Sequence, residues 1–368
     1  MSQARNFADL LASGTVLSDT KLPTITSNKL DDNAIHGNRN LIINGAMQVY
    51  QRGSQAGIRN SYAVDRFKAG GNGSQLLTYS QSTTVPSGEG FSYSAKLDVT
   101  TADTSVAAGD YQVLRYIFEG QDLQHLKYGT SDAQSLTLQF WVKSPKTGTH
   151  IVELEHADAN YQNSQSYTIA AADTWQKVTL TFDGYQTTSI TNDNTYGLQI
   201  NWWLMAGSTF SSGTLSSNTW HNTTANRAVG QVNVVDSTSN EFYITGVQLE
   251  VGEATPFEHR SYGDELRRCQ RYYYQTEVDV FLDTVGSAYN SLSTAQYAHH
   301  FHLPIPVSMR ASPTATLTKL VVGWPHTNVI PNYSVTSATK EFLGFRNGNG
   351  GYSTGGDLYV QYTVDAEL

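Results

Sequence analysis

Residues 136–144 read LTLQFWVKS, with an apolar side chain at every second position. Leu136, Leu138, Phe140 and Val142 share one face of an extended chain, and Thr137, Gln139, Trp141 and Lys143 share the other. Successive side chains of a strand point to opposite sides, so this alternation marks a strand with one face on a core. WQKVTLTFDG (175–184) repeats the pattern with Val178, Leu180 and Phe182 inward. GLQINWWLMAG (197–207) groups Leu198, Ile200, Trp202 and Leu204 and leaves Gln199, Asn201 and Trp203 opposite. In the stretch ending ITGVQLEVG (244–252), Phe242 and Ile244 precede Gly246, while Val247, Leu249 and Val251 follow it. The alternation slips by one there, which predicts a bulge at Gly246. Such strands, separated by Gly, Ser, Asn and Asp clusters, predict two packed antiparallel sheets over 38–258, a β-sandwich of jelly-roll type.

Upstream, residues 2–12 predict a short helix with Ala4, Phe7, Ala8 and Leu11 on one face, Ser2 capping its start and Gly14 ending it. About ten residues are marginal as an isolated helix, so this one is expected to dock on a partner. Residues 15–37 are polar with scattered Leu and Ile and read as an extended arm or a disordered leader. Downstream, HRSYGDELRRCQR (259–271) predicts a hinge helix with Leu266, Cys269 and Tyr273 on one side. It joins the sandwich to a smaller β domain over 272–368, where Leu358, Val360, Tyr362 and Val364 alternate with Tyr359, Gln361 and Thr363. Tyr272, Tyr273 and Tyr274 are expected to cement the two β units, and GNGGYSTGG (348–356) reads as a hairpin tip or loop. The predicted fold class is therefore all-β: a jelly-roll sandwich plus a smaller C-terminal β domain, preceded by a helix and arm over 1–37.

Composition narrows the function. Charged residues are only 15% of the 368, and 23 basic against 32 acidic side chains give a net charge of −9. Binding to a nucleic-acid backbone relies on clustered Lys and Arg, so no nucleic-acid partner is expected. The single cysteine, Cys269, excludes an internal disulfide framework and suits a reducing cytosol. No apolar run reaches membrane-spanning length, and MSQARNFADLLASG lacks the hydrophobic stretch of a signal peptide. No membrane insertion, and no export by the usual route, is expected.

Several stretches resemble a family found on tailed-bacteriophage virions. NLIINGAMQVYQRG (40–53) with YAVDRF (62–67) resembles the opening of its jelly-roll domain. LTLQFWVKSPKTGTHIVEL (136–154), DTWQKVTLTFDG (173–184) and ITGVQLEVGEATPFEHRSYGDELRRCQRYYY (244–274) resemble its central and closing parts. LPIPVSMRASPTATL (303–317) resembles the start of the C-terminal β unit, and ARNFADLL (4–11) is similar to the N-terminal segment of some tail-fibre proteins. The resemblance covers roughly residues 38–320. It implies virion proteins of the tail-fibre or receptor-binding type, with a jelly roll similar to carbohydrate-binding modules. It further implies a homotrimer assembled in the host cytoplasm, attached to other virion proteins of tail or capsid through Phe7, Leu10 and Leu11.

Sugar recognition uses flat aromatic faces with amides and carboxylates nearby. Trp141 and Trp203 fall on the polar sides of their strands with Gln139, Asn201 and Glu153, which makes these five the glycan-binding candidates. The competing reading covers both tryptophans with loops or a neighbouring subunit, as large aromatics are mostly buried. Tyr161, Tyr167, Tyr196 and Trp220 form a weaker group. AHHFHL (298–303) places His300 and His302 on one side of a strand, and three copies on a trimer axis would offer six imidazoles to a transition metal. Ordinary strand histidines read the same way, so no metal or other cofactor is assigned. Asp65, Asp98 and Glu250 would be oxygen ligands for calcium, but no dense Asp-x-Asp loop accompanies them. Glu153 and Glu155 share a strand face about 6.5–7 Å apart, near the spacing of an inverting glycosidase, as any Glu-x-Glu strand pair does. No nucleophile elbow or His-Glu-x-x-His motif occurs, and no catalytic residue is assigned. The leading expectation is a trimeric tail fibre that contacts host-surface glycan and is not an enzyme. The alternatives are a capsid-decorating or tail adaptor protein with a purely structural role, and a glycan-degrading tailspike.

Overall fold

The computed structural model describes residues 38–276, 280–282, 300–322, 328–329, 333–347 and 358–368. The predicted helix and arm over 1–37, with Phe7, Leu10 and Leu11, and the glycine-rich stretch 348–356 lie outside the described residues.

The sandwich opens with β1 (Gln55–Ile58), β2 (Ser61–Tyr62), β3 (Phe67–Asn72), β4 (Leu76–Ser82), β5 (Ser94–Thr101) and β6 (Tyr111–Glu119). It continues with β7 (Leu136–Lys143), β8 (Gly148–His156), β9 (Tyr161–Ile169), β10 (Gln176–Phe182) and β11 (Tyr196–Ala206). A one-turn helix, α1 (Ser208–Ser211), precedes β12 (Trp220–His221) and β13 (Glu241–Val251). One sheet has six strands in the order β1-β4-β5-β13-β7-β10, the other seven in the order β12-β9-β8-β11-β6-β3-β2. The paired strands within both sheets run antiparallel.

Between the sheets the alternating apolar residues meet as expected. Leu136, Leu138, Phe140 and Val142 from the six-stranded sheet face Leu198, Ile200, Trp202 and Leu204 from the other, all buried in one core. Trp202 is fully enclosed, with Phe140 edge-on at 5.8 Å and Phe67 at 6.2 Å. Apolar area of this kind, at roughly 25 cal/mol per Å2 removed from water, is what holds a sandwich closed. The bulge falls where the alternation slips: β13 changes register against β7 between Thr245 and Gln248. Gly246 sits there at φ +61°, and a Cβ would lie 2.6 Å from the Phe91 ring. Left-handed backbone under a packed ring leaves room only for glycine.

Helix α2 (Tyr262–Gln270) follows the sandwich, capped by Ser261, whose Oγ accepts from the Asp264 N–H at 3.2 Å. Asp264 and Glu265 stand in its first turn and Arg267 and Arg268 in its last, each sign at the end where the helix dipole favours it. Its buried side chains are Glu265 and Cys269, four residues apart; Leu266 is only half-buried. A buried carboxylate needs partners. Glu265 has them in the Asn44 N–H and the Arg260 guanidinium.

The tyrosines after α2 stack under arginines of the sandwich. Arg66 lies 3.4 Å above the Tyr272 ring and Arg52 lies 3.6 Å above Tyr273. The strand Tyr273–Gln275 pairs with Leu358–Asp365, which pairs with Thr314–Val322. A three-stranded sheet of His300–Pro304, Phe342–Asn347 and Tyr333–Ala338 stands apart from that ladder. Leu303, Ile305, Met309, Leu343, Val360, Tyr362 and Val364 share a second core. Glu367 ties this part back to the sandwich by accepting from the buried Arg66 and, at 3.3 Å, from Arg52.

Candidate functional site

Because Leu114, Tyr116, Ile200 and Trp202 point into the core, their neighbours on β6 and β11 point away from it. Strand register then lines up the outward residues of the seven-stranded sheet in rows. One row runs Tyr62, Lys68, Arg115, Asn201, Glu153, Ser164 across β2, β3, β6, β11, β8 and β9. The next runs Ile117, Gln199, Glu155, Gln162, His221. A third sets Val113 beside Trp203.

The rows are wired together around Arg227. Its Nε donates to Glu153 Oε2 at 2.9 Å and its Nη2 to Glu153 Oε1 at 2.5 Å and Glu155 Oε2 at 2.8 Å. The Asn201 amide donates to Glu153 Oε1 at 2.9 Å, and the Gln199 amide donates to Asn201 Oδ1 at 2.7 Å. Burial opposes the Arg227 charge, but Glu153 and then Glu155 outweigh it and raise its pKa further. Beside them, burial and the charges of Glu155 and Glu153 push the Tyr196 hydroxyl up, so it stays protonated. Burial and the nearby Arg227 charge lower the His221 pKa, against a backbone hydrogen bond with Thr223. The result is a fixed array of donors and acceptors, with Glu155 and Arg227 partly open to solvent at 17% and 18% side-chain exposure.

The loop between β11 and β13 sets what is open. It turns back through α1, so that Phe210 packs 5.4 Å from Trp203 and 5.7 Å from Tyr111, and Ala228 donates its N–H to Phe210 O. Trp203 is therefore 2% exposed and belongs to a small cluster with Val113, Ile151 and Ala228. Its place as a sugar-stacking platform is corrected: the loop that carries Arg227 lies over it. Asn201 and Glu153 are buried too, as members of the Arg227 network.

Gln139 and Trp141 lie elsewhere. Both are on β7 in the six-stranded sheet, whose outward face is the opposite side of the sandwich, so the five glycan candidates do not converge. Gln139 is buried and donates to Glu250 Oε1 at 3.0 Å and Thr255 O at 2.7 Å. Trp141 is half-buried beside Gly246. Of the weaker group, Tyr167 is core, while Tyr161 and Trp220 edge it in a ring cluster with Tyr185. Tyr196 alone joins the polar face.

His300 and His302 fall on the strand His300–Pro304 opposite Arg346 and Gly344, and their side chains lie outside the described residues. Among the described residues no three His, Cys, Asp or Glu side chains converge to hold a metal ion. The calcium candidates have other partners: Asp65 accepts from Gln51 and Arg52, Glu250 from Thr255, and Asp98 lies 3.8 Å from Lys96. Cys269 is buried, and burial raises its thiol pKa, which suits packing over nucleophilic chemistry.

At the Tyr62 end of the first row opens a cavity of about 380 Å3. Its walls include Arg52, Gln55, Asn60, Ser61, Tyr62 and Lys68 from the sandwich, with Tyr273 and Asp365 from beyond α2. Sequence reasoning missed this cavity, Arg227 and the Lys68–Arg115 pairing. Each is assembled by strand register or by the path of a loop, and none leaves a periodic mark.

No family model matches the chain, and no curated protein matches it. Among solved structures it is similar to the enzymatically active domain of bacteriophage CBA120 tailspike protein 4, at 15% identity and a TM-score of 0.32. That likeness covers 58% of this chain and 22% of the tailspike chain, so the chain spans less than a quarter of that protein. It is also similar to the family 11 carbohydrate-binding module of Clostridium thermocellum Lic26A-Cel5E, at 10% identity, 56% and 98% coverage and a TM-score of 0.28. A third likeness, to the module TmCBM61 in complex with β-1,4-galactotriose, has 9% identity, 58% and 99% coverage and a TM-score of 0.30.

Proposed function

We propose that this chain is a glycan-contacting β-sandwich protein of a bacteriophage virion, a trimeric tail fibre held to the particle through residues 1–37. The observation that carries glycan contact is the outward row on the seven-stranded sheet. Amides, carboxylates and a guanidinium are pre-set there by their own hydrogen bonds, and Glu155 and Arg227 remain partly open at its surface. Sugars present hydroxyls that both donate and accept, and a pre-ordered array of both kinds receives them without reorganising. The virion location is supported by the sequence resemblance. Three weak sites on one trimer would add by avidity, since tethered sites bind at high effective concentration.

The role proposed is binding rather than cleavage. Glycoside hydrolysis needs one carboxyl free to give a proton and the other free to attack or activate water. Glu153 and Glu155 are instead held by one guanidinium. Incubating the protein with host envelope material would show no oligosaccharide release on this reading, and release would overturn it.

A structural reading, capsid decoration or tail adaptor, is favoured by one feature: the loop over Trp203 removes the aromatic platform from solvent. Host-cell binding separates the two. The purified chain is expected to bind host cells, with a Glu155→Ala variant binding several-fold less; equal binding by both, or none, would favour the structural role. Sedimentation should give a trimer, and removal of residues 1–37 should leave that trimer folded but unable to join particles.

A further inference from the structure

One strip of the outward face carries an arrangement that packing does not explain. Lys68 on β3 and Arg115 on β6 are direct register partners, so two positive side chains lie side by side. Like charges directly opposite destabilise an antiparallel pair. The neighbouring carboxylates are engaged elsewhere: Asp365 and Glu367 by Arg52, Glu153 and Glu155 by Arg227. Among the described residues neither Lys68 nor Arg115 takes part in an ion pair, and the buried Arg115 Nε has no hydrogen-bond acceptor. Gly70 gives the guanidinium its berth, because a Cβ there would meet its Nε, Cζ and Nη2 at 2.8–2.9 Å. The Arg115 guanidinium thus lies over Gly70 of β3, two residues from Lys68.

Burial lowers the Lys68 pKa, the Arg115 charge lowers it further, and Glu367 and Asp365 oppose both. Lys68 also lines the cavity of about 380 Å3, with Arg115 one strand behind it. Tyr62, the register partner of Lys68, stands in its wall with Lys68 Nζ 5.3 Å and the Arg52 guanidinium 4.9 Å from its ring centre. Gln55, Asn60 and Ser61 add amides and a hydroxyl. The wall's carboxylate, Asp365, lies 3.4 Å from Arg52, and hydroxyl-binding groups beside two cations without an ion pair suit a sugar that carries a negative charge. A neutral sugar could accept hydrogen bonds from the two cations but would not offset their mutual repulsion.

We propose that Lys68 and Arg115, with the cavity beside Tyr62, form an anion subsite for the acidic group of a charged saccharide, whether carboxylate, phosphate or sulfate. The proposal rests on the glycan-contact reading and narrows it to acidic polysaccharides. At one strand spacing per step, Tyr62 lies roughly 19 Å from Glu153 along the row, room for several sugar units between the two ends.

Two measurements on the full chain test it. In thermal unfolding at fixed ionic strength, Lys68→Gln should raise the midpoint in chloride by removing the repulsion. Replacing chloride by phosphate or sulfate stabilises most proteins without a site, so the quantity read is the extra increment of the unmodified chain over Lys68→Gln and Arg115→Gln. Equal increments in all three would overturn the subsite. The second measurement uses bacterial surface polysaccharides, each acidic one paired with its carboxyl-reduced, desulfated or dephosphorylated form. Acidic forms should bind at least about tenfold tighter than their neutral partners, and Lys68→Gln should erase that margin. Binding that ignores the acidic group would overturn the inference while leaving glycan contact standing. No binding to any polysaccharide, with a site-specific anion increment retained, would instead sink the glycan reading and with it the saccharide assignment.

Discussion

Arg227 reaches the sheet from a loop, and Glu153 beneath it is wholly buried. Removing the cation alone leaves a buried carboxylate with only amide and hydroxyl donors, a loss of roughly 3–5 kcal/mol in comparable pairs. Arg227→Met should therefore destabilise the chain strongly in urea, and adding Glu153→Gln should restore most of the loss. If the single variant unfolds like the parent, the network does not hold the face together. A second residue reports through pH. His150 is buried and stacked on Tyr167, its ring hydrogen-bonded to Lys146 O at 3.0 Å, and burial pushes its pKa down to about 4. The unfolded chain takes up that proton near pH 6.5 and the folded chain only near pH 4, so acid favours unfolding across this window. His150→Gln should lose less stability than the parent between pH 6.5 and 4, by up to about 3 kcal/mol. Parallel curves would refute the buried neutral imidazole.

Among the elements, β13 depends on one glycine and α2 on one serine. Gly246→Ala must hold a left-handed conformation against the Phe91 ring, which should cost at least about 1–2 kcal/mol, read as a lower urea midpoint. Ser261→Ala should cost about 1 kcal/mol, because Ser261 Oγ is the acceptor for the Asp264 N–H. The strands themselves were legible from sequence because burial of one face writes a period of two into the residues, as in 136–143. The slip at Gly246 was legible for the same reason. The helix, read over 259–271, forms over 262–270, yet its buried side was not read, because nothing local shows that Arg260 and Asn44 neutralise Glu265. The outer faces were harder still. Trp203 alternates with core residues just as an exposed residue would, and what buries it is a loop whose course depends on Phe210 and Ala228 finding it.

For the whole molecule, the contacts between the sandwich and the β unit beyond α2 include buried charged ones. Arg66, fully enclosed, lies between the Tyr272 ring and Glu367 and donates to Ile117 O at 2.7 Å. Glu367→Ala should therefore destabilise the two parts together, by about 3 kcal/mol or more, with a single lowered transition in calorimetry. Two separate transitions in the parent chain would show that the parts melt independently. Strand order has a consequence of another kind. In the six-stranded sheet β13 lies between β5 and β7, although β7 ends at residue 143 and β13 starts at 241. A ribosome adding about 5–20 residues per second leaves both strands with an open edge for roughly 5–20 s. Nascent copies on one message pass through that interval close together, so whatever holds those edges apart decides how many chains reach their native pairing and how many knit to a neighbour.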